Sequence, residues 1–165
     1  MYLKWILYLS TERCNSFRGE IMQLTQFTDY SLRMLIYVAV RNGKTCTITE
    51  IAESYNISRN HLMKVTHRLS QLGILKTLRG KGGGLLLNAD PEKLNLGELI
   101  VKLEPNFFIV ECFDTTNGKC AIAPVCKLKH ILHEATNNFI QTLQKYTLQD
   151  VIRNTTELTQ ILLKK

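Results

Sequence analysis

Ser58-Arg59-Asn60-His61-Leu62-Met63-Lys64-Val65-Thr66-His67-Arg68-Leu69-Ser70-Gln71-Leu72-Gly73 and the Ile74-Leu75-Lys76-Thr77-Leu78-Arg79-Gly80-Lys81-Gly82-Gly83-Gly84-Leu85-Leu86-Leu87 that follows it decide the fold. Ser58 is a helix-capping type, and Leu62, Val65, Leu69 and Leu72 then recur at helical spacing until Gly73 stops the pattern. Two apolar-rich runs around a glycine-dense turn follow, which predicts a β-hairpin. Gly80 to Gly84 is not a nucleotide-binding loop, because no Lys-Ser/Thr pair and no opening helix follow it. Upstream, Thr47-Ile48-Thr49-Glu50 fits a capping box that opens a short helix through Tyr55, and Asn56 suits the tight turn before Ser58. Two short helices joined by a tight turn, then a basic hairpin, predict a winged helix-turn-helix.

The charge pattern agrees. The chain carries 21 Lys+Arg against 14 Asp+Glu, a net charge of +7. Ser54 to Asn88 holds six basic residues (Arg59, Lys64, Arg68, Lys76, Arg79 and Lys81) and no acidic one, so nearly all the excess sits in one stretch. A concentrated positive face implies a polyanionic partner. Ser58, Arg59 and Asn60, at the start of the second helix, occupy the positions that meet base edges in the major groove, where Asn pairs with adenine and Arg with guanine. His61, Lys64 and Arg68 recur opposite the apolar stripe; Lys64 suits phosphate, and His61 suits either phosphate or plain solvent. Arg79 and Lys81 at the hairpin tip suit the DNA backbone or minor groove, where glycines permit close approach and cations release counterions.

The 165 residues amount to about one domain, since roughly 150 residues per domain is the usual prior. Hydrophobic residues make up 45%, which argues against disorder, and no apolar run approaches the ~20 residues needed to cross a bilayer. No Ser/His/Asp constellation, paired carboxylates or cofactor motif stands out, so the chain is not read as an enzyme. Two further helices are legible. One starts near Thr25 or Thr28 with Leu32, Leu35, Ile36 and Ala39 on one face and ends at Asn42-Gly43; the other is capped by Asn95, with Glu98 expected to complete a box, and is closed by Pro105.

Five cysteines, at 14, 46, 112, 120 and 126, are an odd number, which points to a reducing cytoplasm and to metal or redox chemistry rather than a disulfide framework. Three of them form Cys112-x7-Cys120-x5-Cys126 on a turn-rich loop, a density better explained by thiolate ligands than by isolated buried thiols. Structural zinc takes four ligands, often in close CxxC pairs, and neither feature is present. An iron–sulfur cluster needs thiolates on a loop able to wrap it, with a fourth group completing the set. Cys126 stands at the start of a helix, whose positive dipole end favours a thiolate. Cys46 reads as a buried or idle thiol. The helix after Cys126 carries Leu128, Ile131, Leu132, Ala135, Phe139, Ile140 and Leu143, more apolar surface than one small head needs, and most simply packs against its twin. His130 and His133 on it read as surface or interface residues. A short helix is expected from Thr147, with Leu148, Val151 and Ile152 packing back.

Met22-Gln23-Leu24-Thr25-Gln26-Phe27-Thr28-Asp29-Tyr30, the Ser58-Arg59-Asn60-His61 helix start, Arg79-Gly80-Lys81-Gly82-Gly83-Gly84 and the cysteine spacing together resemble the nitric-oxide-sensing branch of the iron–sulfur winged-helix repressors, over residues 22 to 165. The resemblance implies a homodimer that binds a pseudo-palindromic operator in double-stranded DNA. It also implies a cluster, of four-iron, four-sulfur (4Fe–4S) type, whose damage by nitric oxide releases repression. The position matching an acidic ligand donated by the partner subunit is Asp29, with Arg33 one turn on to orient it; the plainer reading of Asp29 is a first-turn carboxylate favoured by the helix dipole. The rival is a winged-helix regulator of another class that uses the cysteines for a thiol/disulfide switch or zinc. The expected organisation is an extension over residues 1–21, a winged head over 22–104, a cysteine loop over 105–126, and a dimerisation helix with its tail over 127–165. Residues 1–21 match poorly with the rest; translation is expected to begin at Met22, and the competing reading is a genuine N-terminal extension that packs Trp5 onto the body.

Overall fold

Short polar side chains at the helix starts set the element boundaries. The computed structural model describes residues 23–163, so Cys14, Met22 and the expected boundary between them lie outside the described residues. The Thr25 hydroxyl accepts the Thr28 amide at 3.3 Å and opens α1 (Gln26–Val40), which ends in a left-handed turn at Asn42 and Gly43. The capping box before α2 (Ile48–Tyr55) is complete: the Glu50 amide donates to Thr47 Oγ1 at 3.1 Å, and the Thr47 amide donates to the Glu50 carboxylate at 2.6 Å. Asn56 takes φ 52°, a left-handed conformation that Asn tolerates, and turns the chain into α3 (Arg59–Gln71). Ser58 stands at the cap of α3, but its hydroxyl makes no capping bond; only its carbonyl joins the helix, accepting the His61 and Leu62 amides.

Strands β1 (Leu75–Leu78) and β2 (Gly84–Leu87) pair antiparallel, Leu75 opposite Leu87 and Leu78 opposite Gly84. Cys46, in the loop before α2, bridges to Leu85 through two backbone hydrogen bonds of 2.7 and 3.1 Å and so anchors the hairpin to the helical body. The architecture is mainly helical with one small hairpin, a winged helix-turn-helix as expected.

Helix α4 (Leu96–Leu103) is capped by Asn95, whose side chain accepts the Glu98 amide at 3.1 Å. The expected box is only half made. Glu98 faces Lys102 one turn on, and the Asn95 side-chain Nδ2 donates to the Gln144 carbonyl at 2.6 Å. After the cysteine loop come α5 (Lys127–Leu143), α6 (Leu148–Val151) and α7 (Thr155–Leu162). The segment beyond α5 joins the head: Leu148 and Ile152 are buried in its core, α6 and α7 pack on α1, and the Ser54 hydroxyl donates to the Leu162 carbonyl at 3.1 Å. Val151, expected to pack with them, is exposed, and α7 went unread in the sequence.

The core unites Met34, Leu35 and Val38 of α1, Ile51 of α2, Leu62, Val65 and Leu69 of α3, Leu85 of the hairpin, and Leu99 of α4 with Leu148. Burying one such side chain contributes about 1.5–3 kcal/mol, so this cluster dominates the fold's stability. The chain leaves this core after α4 and returns at α6. Its point of departure is clasped: the Leu96 amide donates to the Tyr146 carbonyl at 3.0 Å, and the Leu148 amide to the Leu94 carbonyl at 2.9 Å. Residues 104–146 are therefore an excursion closed at its base.

Candidate functional site

On α3 the buried row is Leu62, Val65, Thr66 and Leu69, with the Thr66 hydroxyl back-bonded to the Leu62 carbonyl at 2.8 Å. Opposite lies an exposed row of Asn60, Lys64, His67 and Gln71, spaced i, i+4, i+7 and i+11. Arg59, His61 and Arg68 are exposed on its flanks, and two of these have partners within the chain. The His61 ring lies against Tyr30 of α1, centroids 5.9 Å apart, and the Arg68 guanidinium donates to the Lys102 carbonyl at the end of α4 at 3.3 Å. The stripe expected from His61, Lys64 and Arg68 is thus rotated, and the outward row adds His67 and Gln71, which hydrogen-bond each other at 3.1 Å. Counting 3.6 residues per turn from the centre of the apolar stripe, rather than listing cations, finds that row in the sequence.

The wing carries Arg79 and Lys81, both exposed, and its turn needs the positive φ of Gly80 (95°) and Gly82 (80°). The Thr45 hydroxyl donates to the Gly82 carbonyl at 3.2 Å, holding the tip against the α1–α2 loop. Among the described residues the ion pairs use Arg33, Arg41, Lys93, Lys102 and Arg153, and none draws a cation from α3 or the wing. Their charge faces solvent, as a phosphate-binding face requires.

In the cysteine loop, Cys112, Cys120 and Cys126 are free thiols, all half-buried. Cys112 lies in a short 3-10 turn, Glu111–Phe113, and Cys126 occupies the cap position of α5. Two carboxylates that the sequence reading passed over shape the ten residues after Val110. Asp114 accepts the Thr116 and Asn117 amides at 2.9 and 3.0 Å and the Asn117 side chain at 3.0 Å, and Glu111 accepts the Lys119 amide at 2.9 Å. The Asn117 side chain, with these backbone amides, holds the Asp114 carboxyl down at about 2. The Asp-Thr-Thr-Asn run was the available signal, since Asp bonds its own backbone two residues on. A cleft of about 640 Å³ lies between α4, the loop and α5, lined in part by Val101, Phe108, Cys112, Phe113, His133 and Ile140. The Phe113 ring meets His133 edge-on at 5.7 Å, while the His133 ring also bonds Asn137.

Asp29 and Arg33 are brought together as expected: Arg33 Nε donates to Oδ1 at 2.9 Å, and Nη2 lies 2.8 Å from Oδ2. This side-on pair raises the Arg33 pKa and fixes the carboxylate's direction, leaving each oxygen a further lone pair. Within the one chain, no three His, Cys, Asp or Glu side chains among the described residues gather as a metal site. The loop thiols and Asp29 are therefore not assembled into one ligand set. In donor chemistry the loop nevertheless fits a thiolate-bound cluster, because its three thiols are unpaired and none belongs to the sealed core. Cys46 is different. It is 1% exposed, and burial pushes its thiol up to about 11.

The family profile of Rrf2, described as an iron-dependent transcriptional regulator, matches residues 24–154. The chain belongs to the Rrf2 family. A relative, the HTH-type transcriptional regulator NsrR of Bacillus subtilis (strain 168), is 51% identical over 145 residues, covering 87% of this chain and 99% of the relative. The solved structure of a putative transcriptional regulator from Listeria innocua is 27% identical and superposes with a TM-score of 0.65, covering 82% of this chain and 89% of that one. The structure of T. potens IscR, 18% identical, shares the fold with a TM-score of 0.64 over 83% of this chain and 90% of that one. This Rrf2 chain is a transcriptional regulator with a winged helix-turn-helix, and not an enzyme. Among the described residues no helix is long and apolar enough to cross a membrane.

Proposed function

We propose that the chain is a cytoplasmic, homodimeric repressor that senses nitric oxide through an iron–sulfur cluster of 4Fe–4S type. Cys112, Cys120 and Cys126 would hold it, with Asp29 of the partner subunit as fourth ligand and Arg33 orienting that carboxylate. The observation that carries the reading is the trio of free, half-buried thiols on one loop, ending at the cap of a long helix. When bound, the cluster supplies a centre that reacts with nitric oxide.

The chain supplies the rest. Ser58, Arg59, Asn60, His61, Lys64 and Arg68 on the reading helix, with Arg79 and Lys81 on the wing, address the operator. Leu128 and Ile131, 59% and 60% exposed, together with Ala135 and Phe139 form a narrow apolar stripe on α5 suited to a twin helix. Asp29, reaching the other subunit's loop, ties two heads at the half-site spacing of a pseudo-palindrome. Loss of that tie frees the heads to turn and weakens DNA binding.

Anaerobically prepared protein is expected to show iron–sulfur absorption that nitric oxide bleaches while operator affinity falls. Cys120→Ser is expected to abolish both the absorption and the response. A response that survives this substitution overturns the reading, and so does a colourless wild type whose cysteines bind zinc or form a disulfide.

A further inference from the structure

The carboxylate of Glu104 makes a long-range contact that neither the DNA face nor the thiol set explains. Glu104 caps α4 and is the first residue of the excursion that carries the cysteines. Its Oε1 accepts the Thr25 amide at 2.8 Å and the Thr25 hydroxyl at 3.2 Å, across 79 residues of sequence. Thr25 is the N-cap of α1, so Glu104 places a negative charge where the helix dipole and an unsatisfied amide both favour it. The Thr25 hydroxyl also bonds the hydroxyl of Thr28 at 3.2 Å, and Thr28 is fully buried. The next two residues are Asp29, paired with Arg33, and Tyr30, whose ring lies on His61 of the reading helix. One carboxylate thus joins the start of the cysteine loop to the single helical turn that bears both Asp29 and the contact to α3.

We propose that Glu104 is a positioning residue that couples the cysteine loop to the DNA-reading helix within one subunit, through Thr25 and the first turn of α1. The inference rests on the proposed sensing function and adds a route that does not cross the dimer. Movement of the loop pulls on Glu104, which turns the start of α1 and, through Tyr30, shifts His61. The Arg68–Lys102 bond holds α3 at the same end of α4, two residues before Glu104, so α4 braces the reading helix while Glu104 sets α1 against it.

The test measures operator affinity of full-length protein with and without its cluster, and the His61 ring-proton shifts of the cluster-free protein. Glu104→Asp keeps the charge but withdraws the carboxylate by one methylene; Glu104→Ala removes it; Glu104→Gln keeps an oxygen able to accept the Thr25 bonds. Coupling between sites is typically about 5–150-fold in affinity. Glu104→Asp and Glu104→Ala are expected to retain the iron–sulfur absorption, to reduce the ratio of the two affinities at least fivefold, and to move the His61 resonances. Glu104→Gln is expected to behave as wild type. A ratio and a His61 spectrum unchanged in both Glu104→Asp and Glu104→Ala overturn the proposal and leave the sensing function standing. A wild type without cluster, or without any difference between its two affinities, overturns the sensing function and the proposal with it.

Discussion

In the winged head, Met34, Leu35, Ile51, Leu62, Val65 and Leu69 are sealed from solvent, and the helices are closed by capping bonds and left-handed turns. In the excursion that leaves at Glu104 and returns at Thr147, α5 runs for 17 residues without one buried side chain, and Val125 before it is 81% exposed. Both regions are ordered by hydrogen bonds, so the difference lies in where apolar surface goes. The head satisfies its hydrophobic stripes within one chain. The excursion leaves an apolar stripe exposed and its three thiols half-buried, which is the arrangement the proposed dimer and cluster would use.

The largest expected difference between the two is in stability. Leu62→Ala removes a fully buried side chain from the first turn of α3 and should cost about 3 kcal/mol, within the ~2–5 seen for such truncations, whereas Leu128→Ala should cost the fold under about 0.5. Denaturant unfolding of dilute, cluster-free protein measures both, and equal costs would break the comparison. The thiols should differ nearly as much. With its pKa raised from 9.0 to about 11, Cys46 holds about a hundredfold less thiolate at neutral pH than an unperturbed cysteine. Iodoacetamide followed by peptide mass analysis should label Cys112, Cys120 and Cys126 in folded apo protein and Cys46 only on unfolding. Simultaneous labelling of all four would show that the head is not sealed at the wing anchor.

A third substitution sharpens the account of α5. Ile131→Asp places a charge in the exposed stripe, where it should change unfolding of the monomer by no more than about 0.5 kcal/mol. It should shift the monomer–dimer balance at least tenfold, about 1.4 kcal/mol, in sedimentation equilibrium. An unchanged association constant would remove this stripe from the dimer interface.

The head was legible because its signals are local. The Thr47–Glu50 box, the left-handed Asn56 and the Leu62, Val65, Leu69 spacing each state their own structure. The excursion was legible in composition but less so in arrangement. Seven apolar positions on α5 read as one stripe, yet Leu132, Ile140 and Leu143 are half-buried while Leu128, Ile131, Ala135 and Phe139 face out. The division follows from α4, where Gly97 has no side chain and lets the helix approach the Ile140 carbonyl and the Gln144 backbone closely; a Cβ there would stand 3.0 and 2.8 Å from those atoms. Contacts of this range leave little trace in a single sequence, and the 79-residue reach of Glu104 to Thr25 leaves none. The thiol spacing placed three cysteines on one loop, but the described residues do not gather them into a single ligand set.

The smallest effect expected tests the clasp between the two regions. Thr147 and Asp150 form the capping box of α6: the Thr147 amide donates to Asp150 Oδ2 at 2.8 Å, and the Asp150 amide donates to Thr147 Oγ1 at 3.4 Å. The Thr147 amide first, and then the Thr147 hydroxyl donating to Oδ2 at 3.0 Å, lower the Asp150 pKa below 3.8, with a further contribution from Arg153, whose guanidinium lies 2.7 Å away. A carboxyl with a depressed folded-state pKa contributes its stabilisation above the unfolded value, near 4, and loses it as the pH falls through the folded one. The box is half-buried and lies at the edge of the head, so the loss should be modest and local. Amide exchange at Thr147, Leu148 and Asp150 should quicken below about pH 4, relative to that at Ile51 and Leu62, after correction for intrinsic rates. Asp150→Asn should remove this acid dependence while the head's amides stay protected. If the Leu148 amide, which bonds the Leu94 carbonyl, stays as slow in acid as the core, the clasp belongs to the head rather than to the boundary.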